Sequence, residues 1–125
     1  MTPSQGMIML TRTTQHRALF SLVLVGVVLA GCASSPQLSG QSVTDPLLRK
    51  DVYATVERLF SAMTQCHSIS AVDSRITHID KSPSGAIQKA EETWQVSGCG
   101  TTEAYKVVMR ADDKGETDFS VSQQR

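Results

Sequence analysis

The sequence DPLLRKDVYATVERLFSAMTQC, from Asp45 to Cys66, decides the fold. Aspartate is a preferred N-cap, and proline is preferred at the first helical position, where its missing N–H costs nothing. Asp45-Pro46 therefore predicts the start of a helix. Apolar side chains then recur every three or four residues, at Leu48, Val52, Val56, Leu59, Met63 and Cys66. This spacing predicts an amphipathic helix from Asp45 to Gln65.

The period changes after this helix, and the rest of the chain predicts β-strands joined by turns. Strands are predicted over residues 69–80, 86–96, 103–110 and 117–122. Glycine-containing turns separate them, at residues 81–85, 97–100 and 111–115. A sheet with one apolar face needs a cover, and the helix is the only candidate. The predicted fold is therefore α+β, with one N-terminal amphipathic helix packed on an antiparallel meander of three to four strands.

Two aromatic residues of the predicted sheet are candidates for an interface. Trp94, the only tryptophan, can serve as an interface anchor or as a core side chain beneath the helix, and the core interpretation is favoured. Tyr105, which shares one side of its strand with Val107 and Met109, is the second candidate.

The N-terminal region has the three parts of a secretory signal. Arg12 and Arg17 precede an apolar run over residues 18–30, and small residues follow it. The run of about 13 residues is well short of the roughly 20 that a membrane-spanning helix needs. The sequence therefore predicts export rather than a transmembrane segment.

Leu29-Ala30-Gly31-Cys32 resembles the lipobox of bacterial lipoproteins. The resemblance implies that residues 1–31 are a signal peptide, and that Cys32 becomes the first mature residue with lipid on its sulfur and its amine. Ala33-Ser34 follows with no aspartate, which resembles the sorting pattern for the outer membrane. The expected location is the periplasmic face of that membrane, held there through the lipid anchor.

Residues 32–44 are polar, lack aromatic side chains and include one glycine and one proline. They predict a flexible tether that would hold the domain roughly 20 Å from the bilayer. An edge strand docked on the domain is the alternative interpretation of this segment. Residues 45–125 then form the single predicted α+β domain.

The charge of the chain excludes one class of partner. The full sequence has 12 basic and 12 acidic residues, and the signal peptide removes Arg12 and Arg17, which leaves a mature charge of −2. A nucleic-acid-binding protein needs a basic surface to neutralise phosphates, and none is predicted here.

The sequence contains three cysteines, and lipidation of Cys32 leaves Cys66 and Cys99 in an oxidising compartment. An even pair there predicts a disulfide, which would add about 3–4 kcal/mol on the chain-entropy model. A zinc site with His67 and His78 is the alternative, although the paired ligand spacing is missing. A cysteine–histidine nucleophile would need a free thiolate.

No set of residues converges on catalysis. Glu91-Glu92, Asp112-Asp113 and Glu116 offer carboxylates, which in pairs can serve acid–base chemistry or bind calcium. The spacing from Asp112 to Glu116 is that of a solvated hairpin turn and not of a calcium loop. No phosphate-binding glycine loop and no nucleophile elbow is found. The sequence predicts a protein that is not an enzyme and needs no metal or cofactor.

A pattern from Trp94 to Gly100, W-x-V-x-x-C-G, resembles one found in small lipoproteins of Gram-negative bacteria, and it implies no activity. The predicted function is a non-catalytic outer-membrane lipoprotein that acts as a binding or scaffold subunit for an envelope protein. The alternative is a small periplasmic inhibitor or ligand-binding lipoprotein. It comes from Ser82-Pro83-Ser84-Gly85, which resembles the Ser-x-Ser-Gly loop of lipoprotein lysozyme inhibitors.

Overall fold

The computed structural model describes residues 35–125, which fold as one helix packed on a five-stranded mixed sheet. The elements, in chain order, are β1 (Gln37–Gly40), α1 (Pro46–Thr64), β2 (Ile69–Lys81), β3 (Ile87–Gly98), β4 (Thr101–Ala111) and β5 (Thr117–Gln123). The strands lie in the order β1-β2-β3-β4-β5. β1 is parallel to β2, and every other neighbouring pair is antiparallel.

The predicted α+β class is confirmed, whereas the predicted strand count is wrong. β2 to β5 form the expected antiparallel meander, but β1 adds a fifth strand and precedes the helix. Residues 37–40 form the docked edge strand of the alternative interpretation, so residues 37–44 are part of the folded unit and the predicted domain boundary at residue 45 lies too late. β1 has only four exposed residues, so it carries no alternation by which a sequence pattern could predict it.

The helix begins and ends where its capping residues predict. The Asp45 side chain accepts a hydrogen bond from the Leu48 N–H at 2.8 Å, and Pro46 follows it as the first helical residue. At the other end Gln65 adopts a left-handed conformation with φ 59°, and its N–H donates to the Ser61 carbonyl at 3.0 Å. These contacts satisfy backbone groups that a helix end otherwise leaves unpaired.

One face of α1 closes the core over the sheet. Val52, Val56 and Phe60 are fully buried against inward side chains of β3 and β4. Trp94 and Tyr105 lie directly opposite each other across these two strands, and they are only 1% and 0% exposed. The core interpretation of Trp94 is confirmed, and the assignment of Trp94 and Tyr105 to an interface is wrong, because their strand positions face the helix.

The predicted disulfide is confirmed. Cys66 follows α1, Cys99 lies in the turn between β3 and β4, and their Cα atoms are 6.0 Å apart in the bonded pair. Both sulfurs are thereby consumed, which removes the zinc and nucleophile alternatives that needed free thiolates. Cys99 and Gly100 both have positive φ, as the favoured two-residue hairpin turn requires.

Between residues 35 and 125 there is no helix with the length and apolar character needed to cross a membrane. The predicted signal peptide and the lipidation site Cys32 lie outside the described residues.

Candidate functional site

An open cleft lies between α1 and β1. It encloses about 570 Å³ and is lined by Ser35, Pro36, Leu38, Thr44, Pro46, Arg49, Lys50 and Tyr53. The helical members occur at intervals of three or four residues, so they form a stripe on α1 distinct from the buried one. The main chain of α1 comes closest to β4 and β5. The opposite side of the helix is therefore separated from β1, and the cleft lies in this gap.

Apolar side chains form the inner surface of the cleft. Leu38 lies in β1 opposite the buried Val72, on the face of the sheet that carries the helix, and it is nevertheless 48% exposed. The ring of Tyr53 is half-buried, and burial raises the pKa of its hydroxyl, with a smaller contribution from the nearby charge of Glu57. A ligand with an apolar group would therefore find uncovered apolar surface here.

Two cations line the same cleft. The Arg49 Nε donates to the Thr44 hydroxyl at 3.0 Å, whereas Lys50 is exposed. Neither forms a salt bridge within residues 35–125. The cleft is therefore apolar along its inner surface, with positive charge at the N-terminal end of the helix.

A buried carboxylate fixes the segment that joins β1 to α1. Glu92 is fully buried, and it accepts hydrogen bonds from the Val43 N–H at 2.6 Å, the Ser42 hydroxyl at 2.9 Å and the Trp94 indole N–H at 2.7 Å. The Ser42 hydroxyl also contacts that of Thr44 at 2.7 Å, and Thr44 accepts from Arg49. Burying a carboxylate is costly unless donors satisfy it, and these donors include the core tryptophan. The network positions Thr44 and Arg49 in the cleft.

The outer edge of β1 is unpaired among the described residues. The Gln41 N–H donates to the Ser74 carbonyl of β2 at 2.8 Å. Because backbone groups alternate in direction along a strand, the N–H and C=O groups of Leu38 and Gly40 point away from β2. The cleft is thus bordered by a strand edge that can accept another strand.

The sheet face away from the helix is polar. Glu91 contacts the ammonium groups of Lys89 at 2.5 Å and Lys106 at 2.7 Å. The hydrogen bonds from Lys106 and Lys89 lower the pKa of Glu91 from its usual 4.5 to about 2. These paired charges favour a hydrated surface over an apolar interface.

The Tyr105 hydroxyl is the one buried side-chain oxygen or nitrogen without a hydrogen-bond partner in the part of the chain that the structure describes. Burial raises the pKa of this group, and the charge of Glu103 raises it further. The hydroxyl lies in the core and does not line the cleft between α1 and β1.

The remaining sequence candidates do not come together in a catalytic arrangement. His67 contacts the Ser61 hydroxyl at 2.5 Å, and His78 pairs with Asp80 at 2.7 Å on the surface. The carboxylate of Asp112 accepts two N–H groups of its own hairpin turn, from Lys114 and Glu116. No group of three or more histidine, cysteine or acidic side chains placed to hold a metal ion occurs in residues 35–125.

Comparison with protein-family models, with curated proteins and with solved structures finds no match for this chain.

Sequence reasoning missed the cleft and the Glu92 network. The signal for Glu92 was present, because it alternates with Ala90, Trp94 and Val96 and so falls at an inward position of its strand. An acidic residue at such a position needs buried donors, and this requirement predicts a nearby polar segment. Nothing in the sequence indicates that Ser42 and Val43 supply it.

Proposed function

We propose that this protein is a non-catalytic outer-membrane lipoprotein that acts at the periplasmic face as a binding or scaffold subunit for another envelope protein. The observation that carries the proposal is the position of the open cleft. The cleft lies beside β1, and only residues 33–36 separate β1 from Cys32. An acylated Cys32 would keep this binding surface next to the membrane.

The length of the intervening chain limits how far the cleft could lie from the anchor. A fully extended chain advances about 3.3–3.6 Å per residue, so the Cα atoms of Cys32 and Gln37 are at most about 18 Å apart. This limit is tighter than that of a thirteen-residue tether, which could extend to about 45 Å. It favours a partner that is itself in, or close to, the membrane.

Metabolic labelling with palmitate tests the anchor. We expect the wild-type protein to take up label and fractionate with membranes, because each buried methylene of an acyl chain contributes about 0.8 kcal/mol. Cys32→Ser should lose the label and enter the soluble periplasmic fraction. The double variant Cys66→Ser, Cys99→Ser is the matched control and should keep its label. Equal membrane retention of Cys32→Ser would contradict the anchor.

Photo-crosslinking in intact cells tests the binding role. A photoreactive residue in place of Ser35 lies at the cleft, whereas one in place of Lys114 lies in the turn between β4 and β5. We expect a discrete protein adduct from position 35 and none from position 114. The absence of any adduct from position 35 would count against a partner at the cleft.

The alternative function, inhibition of a lysozyme, has weaker support. The hydroxyls of Ser82 and Ser84 lie 2.7 Å apart, and Ser82 also accepts the Ala86 N–H at 3.2 Å, so the turn's own groups occupy them. A lysozyme-inhibition assay with the purified protein separates the two functions, because a scaffold subunit should leave lysozyme activity unchanged.

A further inference from the structure

We propose that the free edge of β1 and the neighbouring cleft bind an extended peptide segment of the partner protein. The segment adds a strand beside β1, places an apolar side chain in the cleft, and brings a carboxylate to Arg49 and Lys50. This inference rests on the proposed function only in taking the partner to be a protein.

The strand edge is the first of three observations that support a peptide. The N–H and C=O groups of Leu38 and Gly40 point away from β2 and have no partner among the described residues, because the Gln41 N–H bonds to the Ser74 carbonyl and backbone groups alternate along the strand. An added strand satisfies such groups with main-chain hydrogen bonds. Lipid acyl chains have no donors or acceptors that could do so.

The second observation is the apolar surface beside this edge. Alternate side chains of an added strand would lie on the same face of the sheet as Leu38, which is the face that borders the cleft. There they would cover Leu38, which is 48% exposed, and the half-buried ring of Tyr53. The cleft therefore selects a segment with an apolar residue at an alternate position.

The third observation is charge. Arg49 and Lys50 both line the cleft, and neither forms a salt bridge within residues 35–125. A carboxylate on the peptide, either terminal or from a side chain, would complete both charge-assisted contacts. A basic peptide would meet repulsion at the same place.

The same charges disfavour a second copy of this chain as the occupant. A two-fold interface that pairs two β1 edges would place the same surface of each copy side by side. The Arg49 and Lys50 side chains of both copies would then lie on one side of the joint sheet, without a carboxylate from this cleft to separate them. Like charges in such an arrangement are destabilising.

Selection from a random heptapeptide library with free C-termini, displayed against the full-length protein in detergent, tests the proposal. Enriched peptides should alternate apolar residues and carry a carboxylate. Binding of a synthesised enriched peptide is then measured by fluorescence anisotropy. We expect Leu38→Arg and Lys50→Glu each to weaken binding by about tenfold or more, since each removes a contact of about 1.4 kcal/mol or more.

Two matched controls separate the cleft from general effects of charge. Leu47 is also an exposed leucine, at 71%, but it does not line the cleft, and Lys114 lies in a distant turn. Leu47→Arg and Lys114→Glu should bind the peptide as the wild-type protein does. All four variants are first required to show the wild-type far-ultraviolet circular dichroism spectrum.

Amide hydrogen exchange tests the mode of binding directly. Bound peptide should slow exchange at Leu38 and Gly40, and a peptide N-methylated at alternate backbone nitrogens should lose both the protection and the affinity.

Four results would overturn the proposal: no enriched peptides, enriched peptides indifferent to Leu38→Arg, dimerisation that depends on Leu38, or anionic phosphatidylglycerol vesicles that protect Leu38 and Gly40 in place of peptide. None of these bears on palmitate uptake at Cys32, so failure of this inference and failure of the proposed anchor are distinguishable.

Discussion

Glu92 shows how one polar residue can organise a small core. Its carboxylate is fully buried, yet it accepts from the Ser42 hydroxyl, the Val43 N–H and the Trp94 indole. These bonds connect β3 with the segment that enters α1, across about half of the described chain. A leucine at this position would leave the buried Trp94 indole and the partly buried donors of Ser42 and Val43 without this acceptor.

We expect Glu92→Gln to lower the free energy of unfolding by about 1–3 kcal/mol. The glutamine NH₂ would replace one acceptor oxygen and so face a donor, either the Val43 N–H or the Ser42 hydroxyl and the Trp94 indole together. Urea unfolding monitored by tryptophan fluorescence measures the change, provided that the m-value is unchanged. Glu116→Gln in the exposed turn between β4 and β5 is the control, and an equal loss in both variants would contradict a special role for Glu92.

Glu91 predicts how stability responds to acid. Lys106 and Lys89 lower its pKa from 4.5 to about 2 in the folded protein. Because the folded pKa lies below the unfolded one, Glu91 stabilises the fold fully above pH 4.5, and this contribution is lost as the pH falls toward 2. We expect Glu91→Gln to flatten the dependence of Tm on pH in this interval. Parallel profiles for the two proteins would show that the lysine contacts contribute nothing.

At the scale of elements, β1 is the feature on which the cleft depends. It is four residues long, all four residues are exposed, and a short parallel ladder holds it to β2. Gly40 ends it with φ +85°, and a Cβ built there would lie 2.0 Å from the Ser74 carbonyl oxygen. Only glycine allows this close approach of the two backbones.

We therefore expect Gly40→Ala to detach the end of β1. The Gln41 amide, which donates to the Ser74 carbonyl, should then exchange its hydrogen faster. Gly115→Ala is the matched control: its φ is +82°, but nothing lies within 4 Å of the added Cβ, so it should cost only about 1 kcal/mol of backbone strain. Unchanged exchange at Gln41 in Gly40→Ala would contradict the steric argument.

At the scale of the whole molecule, the disulfide joins the helix to the sheet. It connects the end of α1 to the turn between β3 and β4, over a sequence separation of 33 residues. A folded unit of this size has a thin stability margin from its core alone. The bridge therefore supplies a large share of the total stability.

Replacing both Cys66 and Cys99 with serine should lower the free energy of unfolding by about 3–4 kcal/mol on the chain-entropy model. Trp94, which is only 1% exposed, reports the loss of the core by fluorescence in a urea titration. The wild-type protein in reductant is the matched comparison and should show nearly the same midpoint as the double variant. A loss of unfolding free energy well below this range would show that packing, and not the disulfide, supplies most of the stability.

Much of this fold could be predicted from local patterns. Asp45-Pro46 and the apolar spacing up to Cys66 predict α1 to within a residue at each end, because caps and periodicity are properties of neighbouring residues. The inward positions of Trp94 and Tyr105 follow from the alternation of their strands, although alternation alone leaves open whether such residues face a core or a partner.

What the sequence by itself determined, then, is α1, an antiparallel meander of three to four strands and the pairing of Cys66 with Cys99, since each depends on local spacing or on a count of cysteines. Only the tertiary structure decided that residues 37–40 form a strand, that Glu92 is satisfied by donors 49 and 50 residues away, and that a cleft opens between α1 and β1. These features depend on contacts between segments that are distant in sequence, and local sequence patterns do not indicate which distant segments come into contact.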